Sequence, residues 1–353
     1  PFRLEAAGQN SSARVAGNRS GVQGGGFRDR TTLSHCAVVW LVRRRRRRSS
    51  MQRGFASRCL ALLGLIGIRL CSGGYIPPTK YLIMSNAANG TIGYVQLSRT
   101  GNISAVRTLI DRDLKHPQGI AIDQKRQLLL VADSDLRKVV SYGLTVHEDG
   151  SLGVDDQSPV AEDLETRWVA VDGLGNVFMT DEQGGRILKI SARQVLDGDT
   201  AARSVFADDG TLGGAIASPG GVVTDNFHVY WTNKRDGQAT GTVVRSLVPA
   251  TNMTDVAPQP VALSKNVPKA YGLCMAMDTI YYTDVDHNVY AVRASGGDVV
   301  QVSSQFANPR GCAWDGESTI YIADRSADGV FALDGPSLSL AEVSAKKAVD
   351  FQG

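Results

Sequence analysis

One unit recurs five times between residues 116 and 333, and this repetition constrains the fold more than any other feature. Each copy opens with a short apolar strand, often entered through Pro-x-Gly and leaving on Asp or Gly. A second apolar strand follows and ends in Thr/Ala-Asp or Thr-Asn. A polar turn then leads to a third. The first copy reads His116-Pro-Gln-Gly-Ile-Ala-Ile-Asp123, Leu128-Leu-Leu-Val-Ala-Asp133 and Val139-Val-Ser-Tyr142. The second strands of the next four are Val177-Phe-Met-Thr-Asp181, Val229-Tyr-Trp-Thr-Asn233, Ile280-Tyr-Tyr-Thr-Asp284 and Ile320-Tyr-Ile-Ala-Asp324. The strands are short, rich in β-branched and aromatic residues, and bounded by Gly, Asn, Asp and Pro.

A sixth copy is split between the ends of the domain. Leu82-Ile-Met-Ser-Asn86 and Gly90-Thr-Ile-Gly-Tyr94 match the second and third strands, and Lys347-Ala-Val-Asp-Phe-Gln-Gly353 matches a first strand. Six copies over residues 75–353 give about 46 residues each, enough for a four-stranded blade. The expected fold is therefore all-β: a six-bladed β-propeller of four-stranded antiparallel blades. The C-terminal strand is expected to pair with the N-terminal blade, which would remove both sheet edges. No long helical period occurs in this region.

The charge is divided unevenly. Residues 1–74 hold fourteen Arg and two acids, while residues 75–353 hold 24 basic against 33 acidic residues, a net charge of −9. A mildly acidic domain offers no footprint for a phosphate backbone, so no nucleic-acid partner is expected. Residues 1–50 lack hydrophobic periodicity and end near the run Arg43 to Arg48. They read as unstructured sequence translated upstream of the true start. Residues 51–74 read as a signal peptide: Met51 to Arg58 is a short basic segment, Cys59 to Ile68 an apolar run too short for a bilayer, and Cys71-Ser72-Gly73 a small-residue cleavage site. A secreted or lumenal location follows as the expectation, with no membrane span in the mature domain. Asn89, Asn102 and Asn252 head N-x-S/T sequons.

After cleavage only Cys274 and Cys312 would remain. They fall on first strands of adjacent blades, one register step apart. Free buried thiols are expected, a bridge requiring Cα atoms within about 7 Å.

Val229-Tyr-Trp-Thr-Asn233 and Ile280-Tyr-Tyr-Thr-Asp284 resemble the YWTD repeat of low-density lipoprotein receptor class B proteins. The elements of the first copy resemble NHL repeats equally, and also the gluconolactonase and senescence-marker family. The resemblance covers about 270 residues and implies the propeller; the shared motif is structural and implies no single activity.

Asn86, Asp133, Asp181, Asn233, Asp284 and Asp324 occupy one repeat position. A metal or catalytic set needs asymmetry, so these are read as a structural ring accepting backbone N–H groups in the turns. Trp231, Trp314, Tyr281 and Tyr282 are read as packing between blades. Function should lie where the symmetry breaks. The residues just before each first strand are Gln118, Arg167, Gly220, Tyr271, Arg310 and Ala345, flanked by His116, Glu165, Trp168 and Lys346. This cationic and aromatic set is the expected ligand-binding mouth of the central channel.

A metal hydrolase needs clustered carboxylate, Asn or His ligands with an open position. In the gluconolactonase family such a set lies at the channel mouth, and only Glu165 and His116 match it here. His35, His147, His228 and His287 show no ligand spacing, and neither a nucleophile elbow nor a phosphate loop is present. The leading expectation is thus a monomeric binding module for a protein or glycan, with no cofactor and no catalytic residue. The alternative is a lactonase- or esterase-like hydrolase using Ca or another divalent cation at the same mouth.

Overall fold

The computed structural model describes residues 40–41, 80–98, 103–207, 214–234, 241–249, 258–334 and 341–350. All of these belong to one compact unit, 33–353. The signal-peptide segment, Asn102, Asn252 and the arginine run lie outside the described residues.

The strands form six antiparallel sheets in chain order. Blade I holds β1 (Trp40–Leu41), β2 (Lys80–Asn86), β3 (Thr91–Leu97) and β4 (Arg107–Ile110). Blade II holds β5 (Pro117–Asp123), β6 (Leu128–Asp133) and β7 (Lys138–Val146), whose long third strand carries both β8 (Leu152–Val154) and β9 (Ser158–Ala161). Blade III is β10 (Thr166–Val171), β11 (Val177–Asp181), β12 (Arg186–Ile190) and β13 (Arg203–Ala207). Blade IV is β14 (Pro219–Thr224), β15 (His228–Asn233), β16 (Gly241–Leu247) and β17 (Val261–Val267). Blade V is β18 (Ala270–Ala276), β19 (Thr279–Asp284), β20 (Val289–Arg293) and β21 (Val300–Ser303). Blade VI is β22 (Pro309–Trp314), β23 (Thr319–Asp324), β24 (Gly329–Asp334) and β25 (Ala345–Asp350). Among the described residues one short helix, α1 (Ala192–Asp197), sits in blade III behind a Ser191–Gln194 capping box.

The first strand of each of blades II to V contacts the first strand of the next, so β5, β10, β14, β18 and β22 line a central channel. The core is a ring of layers between blades. Leu130, Val139, Val169 and Met179 join blades II and III, and Tyr230, Leu273 and Tyr282 join IV and V. Leu82, Met84 and Val95 of blade I pack on Tyr321, Ala323 and Val330 of blade VI, which closes the ring. Trp231 and Tyr282 are fully buried and Tyr281 nearly so, whereas Trp314 is half-buried at the channel.

Ring closure differs from the sequence expectation. The C-terminal strand β25 does not pair with blade I. It is the outermost strand of blade VI, with Gly329 opposite Asp350 and Val330 opposite Val349. Its burial pattern explains why: Val349 is its one buried residue, the pattern of an outer strand, as in β4 and β13. Channel strands are buried along most of their length. The short likeness Val-Asp-x-x-Gly was too weak a guide to register. Ala345 and Lys346 therefore lie at the rim of blade VI and not at the channel mouth. The place beside β2 is taken by β1, with Trp40 opposite Ile83 and Leu41 opposite Leu82. Residues 1–50, read as lying outside the fold, thus contribute a strand, because β2 otherwise presents an unpaired edge.

Hydroxyls stitch neighbouring blades together. Ser85 Oγ donates to the Gln118 carbonyl, Thr180 Oγ1 to that of Gly220, Thr232 Oγ1 to that of Tyr271 and Thr283 Oγ1 to that of Arg310. Each donor stands one residue before the Asp/Asn position. Thr232 and Thr283 also accept from the N–H of Gly221 and Gly272 in their own blade. Each thus relays between two backbone groups that burial would leave unpaired. Ala132 and Ala323 hold the same position in blades II and VI and have no hydroxyl to give.

Candidate functional site

The mouth residues are aimed by β-bulges. In blade II, Pro117 pairs with Asp133 and Ile120 with Val131, so two residues, Gln118 and Gly119, face one. The same irregularity falls at Gly220 and Gly221, at Tyr271 and Gly272, at Arg310 and Gly311, and at Arg167 and Trp168. A bulge turns the extra side chain out of the alternating pattern. The repeat therefore delivers Gln118, Arg167, Tyr271 and Arg310 to one end of the channel.

The second bulge residue is Gly in blades II, IV, V and VI, and Trp168 in blade III. Glycine is required for close approach. A Cβ on Gly119 would stand 2.7 Å from the Arg167 carbonyl oxygen, and one on Gly272 would collide with that of Arg310. Trp168 breaks this rule, and its ring reaches over to Gly272, with Cη2 2.9 Å from a notional Cβ there. It is 6% exposed. Trp168 is therefore a plug in the channel beneath the mouth residues.

Above the plug the side chains are linked. The Arg310 guanidinium lies over the Tyr271 ring at 3.7 Å from its centroid, and Lys234 Nζ lies 5.8 Å from the same ring. Lys234 Nζ pairs with Glu182 at 2.7 Å, Arg167 Nε stands 3.6 Å from the same carboxylate, and Arg167 Nη2 meets Glu165 at 2.9 Å. The chain of contacts runs Glu165–Arg167–Glu182–Lys234–Tyr271–Arg310 across blades III to VI. Such part-exposed pairs add about 0.2–1 kcal/mol each, so their main effect is to fix positions. The local balance is cationic on a domain with net charge −9.

Glu182 and Lys234 were not foreseen as site residues. Both directly follow the Asp/Asn ring position, where the other copies carry Ala87, Ser134, Val285 and Arg325. Variation at that register was the signal available. Ser134 belongs to the same tier, accepting from Gln118 Nε2 at 3.3 Å; Gln118 is buried. His116 is half-buried, and its backbone N–H is held by Asp133. Glu165 is committed to Arg167. Among the described residues, no three His, Cys, Asp or Glu side chains are grouped to hold a metal ion.

The Asp/Asn ring lies in the turns behind this face. Asp133 accepts N–H bonds from Lys115, His116, Asp135 and Leu136, and Asp324 from Ala307, Asn308, Ser326 and Ala327. Asn233 accepts from Ala217, Asn86 from Asn89, and Asp181 from Gly184 and Arg186. Burial pushes the Asp284 carboxyl above its usual range, against hydrogen bonds from Asn288 and Asp286. Asn89 is exposed in the turn after β2.

Cys274 and Cys312 form a disulfide with Cα atoms 5.5 Å apart, which corrects the expectation of free thiols. The one-step offset brings the two side chains face to face between blades V and VI, the geometry a bridge requires.

No family model matches the chain, and no curated protein does. Solved structures do. The structure of a nidogen/laminin complex superposes with a TM-score of 0.57 at 20% identity, over 72% of this chain and 89% of that one. A gluconolactonase from Xanthomonas campestris gives a TM-score of 0.48 at 17% identity, covering 66% and 76%. A streptogramin B lyase gives 0.49 at 12%, covering 77% and 80%. At these identities the likeness is one of fold, and the class is the one the six sheets define: a six-bladed β-propeller.

Proposed function

We propose that this chain is a binding module of the secretory pathway that recognises a protein or glycan through the channel mouth. The observation that carries the reading is the fixed cationic and aromatic array of Arg310, Tyr271, Lys234, Glu182 and Arg167 above the Trp168 plug. Arg and Tyr held rigidly lose little entropy on binding, which is why such residues dominate recognition surfaces. The disulfide supports an oxidising compartment. The likeness to a chain from the structure of a nidogen/laminin complex supports a protein ligand ahead of a glycan.

The test is capture on arrays of extracellular protein domains and of glycans, repeated with Arg167→Ala, Tyr271→Ala and Arg310→Ala. Specific capture that falls at least tenfold in these variants is expected. Capture unchanged in all three removes the proposed face. A lactone and ester panel run beside it addresses hydrolysis, where turnover abolished in Glu165→Gln would replace the binding reading with an enzymatic one.

A further inference from the structure

The channel holds a second feature, on the side of Trp168 away from the mouth. A cavity of about 270 Å³ lies between the channel strands of blades II to VI and runs toward the turn at Asp315 and Gly316. Its wall includes Trp168, Trp314, Val223, Met275 and the Cys274–Cys312 bridge. The surface presented is mostly apolar, and two indoles and three sulfurs make it unusually polarisable.

The one charged side chain of its lining, Asp315, is already paired. The Asp315 carboxylate is neutralised by Lys80 Nζ at 3.1 Å and accepts N–H bonds from Glu317 and Thr319. Trp314 Nε1 donates to the Glu317 carbonyl at 3.3 Å. A cation or anion entering here would lose hydration and find no uncompensated charge in the lining. An apolar ring would lose nothing of that kind, and sulfur at the edge of an aromatic ring is favourable. Size narrows the choice further. Apolar cavities of about 150 Å³ stay dry and take a single benzene ring. A volume of about 270 Å³ suits two fused rings.

The cavity also has a reason to exist. Blades II, IV, V and VI carry Gly at the second bulge position, and in blade III Trp168 stands there and reaches across to Gly272. Its ring reaches Gly272 on blade V and walls the cavity on the mouth side. Further from the mouth, Val222 and Val223 on β14 line it with small side chains.

We propose that this cavity is a binding site for a small, neutral, planar aromatic compound of about two fused rings, entering from the face opposite the mouth. The site is separate from the proposed ligand-binding face and does not rest on it.

The experiment uses the full chain and 2-naphthol below its phenolic pKa. Binding is read by calorimetry and by quenching of tryptophan fluorescence. Saturable binding at one site per chain is expected. Val223→Trp, which fills the cavity, should weaken it at least tenfold. Trp314→Ala removes one stacking wall at a half-exposed position, so it tests the site even if the filled variant fails to fold; a loss of at least fivefold is expected. Tyr271→Ala, above the plug, should leave binding within twofold. Non-saturable binding, or affinity unchanged in both cavity variants, overturns the proposal. Loss in Tyr271→Ala alone would assign the probe to the mouth and overturn it equally.

Discussion

Replacing Thr283 by Val tests whether the hydroxyl relay holds blade V to blade VI. The side chain is fully buried. Its Oγ1 accepts from Gly272 N–H at 3.2 Å and donates to the Arg310 carbonyl at 2.9 Å. Valine keeps the shape and removes both bonds, leaving one N–H and one C=O without partners between packed strands. Each such group costs about 1–3 kcal/mol, and the added methyl returns part of it, so a net loss of about 2–4 kcal/mol is expected. A domain of roughly 270 residues unfolds with an entropy of about 0.6 kcal/mol/K, so the melting temperature should fall by about 4–7 °C. Thr283→Ser keeps the hydroxyl and loses one methyl, about 1 kcal/mol or roughly 2 °C. Differential scanning calorimetry on both variants decides the matter. If the valine protein melts at or above the serine protein, the relay contributes nothing and the inter-blade argument fails.

Other consequences can be measured the same way. Reducing the Cys274–Cys312 bridge opens a 38-residue loop, and the chain-entropy estimate puts the loss at about 4 kcal/mol, visible as a lower urea midpoint in reductant or in the double Ala variant. Because burial raises the folded pKa of Asp284, the folded state holds that proton more tightly than the unfolded chain. Its contribution to stability therefore declines as pH rises from roughly 4 through the folded value. Asp284→Asn, the amide already present at Asn233, should remove this decline; a parallel pH–stability curve would contradict the assignment. Asp225 behaves oppositely. Despite burial, N–H bonds from His228 and Phe227 and the Tyr230 hydroxyl lower its pKa, so Asp225→Asn should cost stability at neutral pH and progressively less as pH falls through the folded pKa. Trp168→Gly restores the repeat residue and should join the mouth to the cavity, detected as faster acrylamide quenching of Trp314.

The sequence by itself determined the architecture. A repeated unit that cannot bury both faces alone must stack on copies of itself, and that requirement depends only on local pattern. The strands, the Asp/Asn turns and the mouth positions Arg167, Tyr271 and Arg310 were all legible for that reason. What pairs across the ring was not. The short likeness of residues 347–353 to a channel strand could not decide between an inner and an outer place, because that choice rests on which edge remains open after blade VI has formed. The state of Cys274 and Cys312 depends on a distance between strands of different blades, which spacing along the chain does not encode. Glu182 and Lys234 joined the mouth because the turn after each second strand folds over the bulge of the first. Trp168 read as one more large rim residue. Only the glycine its ring reaches on blade V, Gly272, showed it crossing the channel with a cavity beside it.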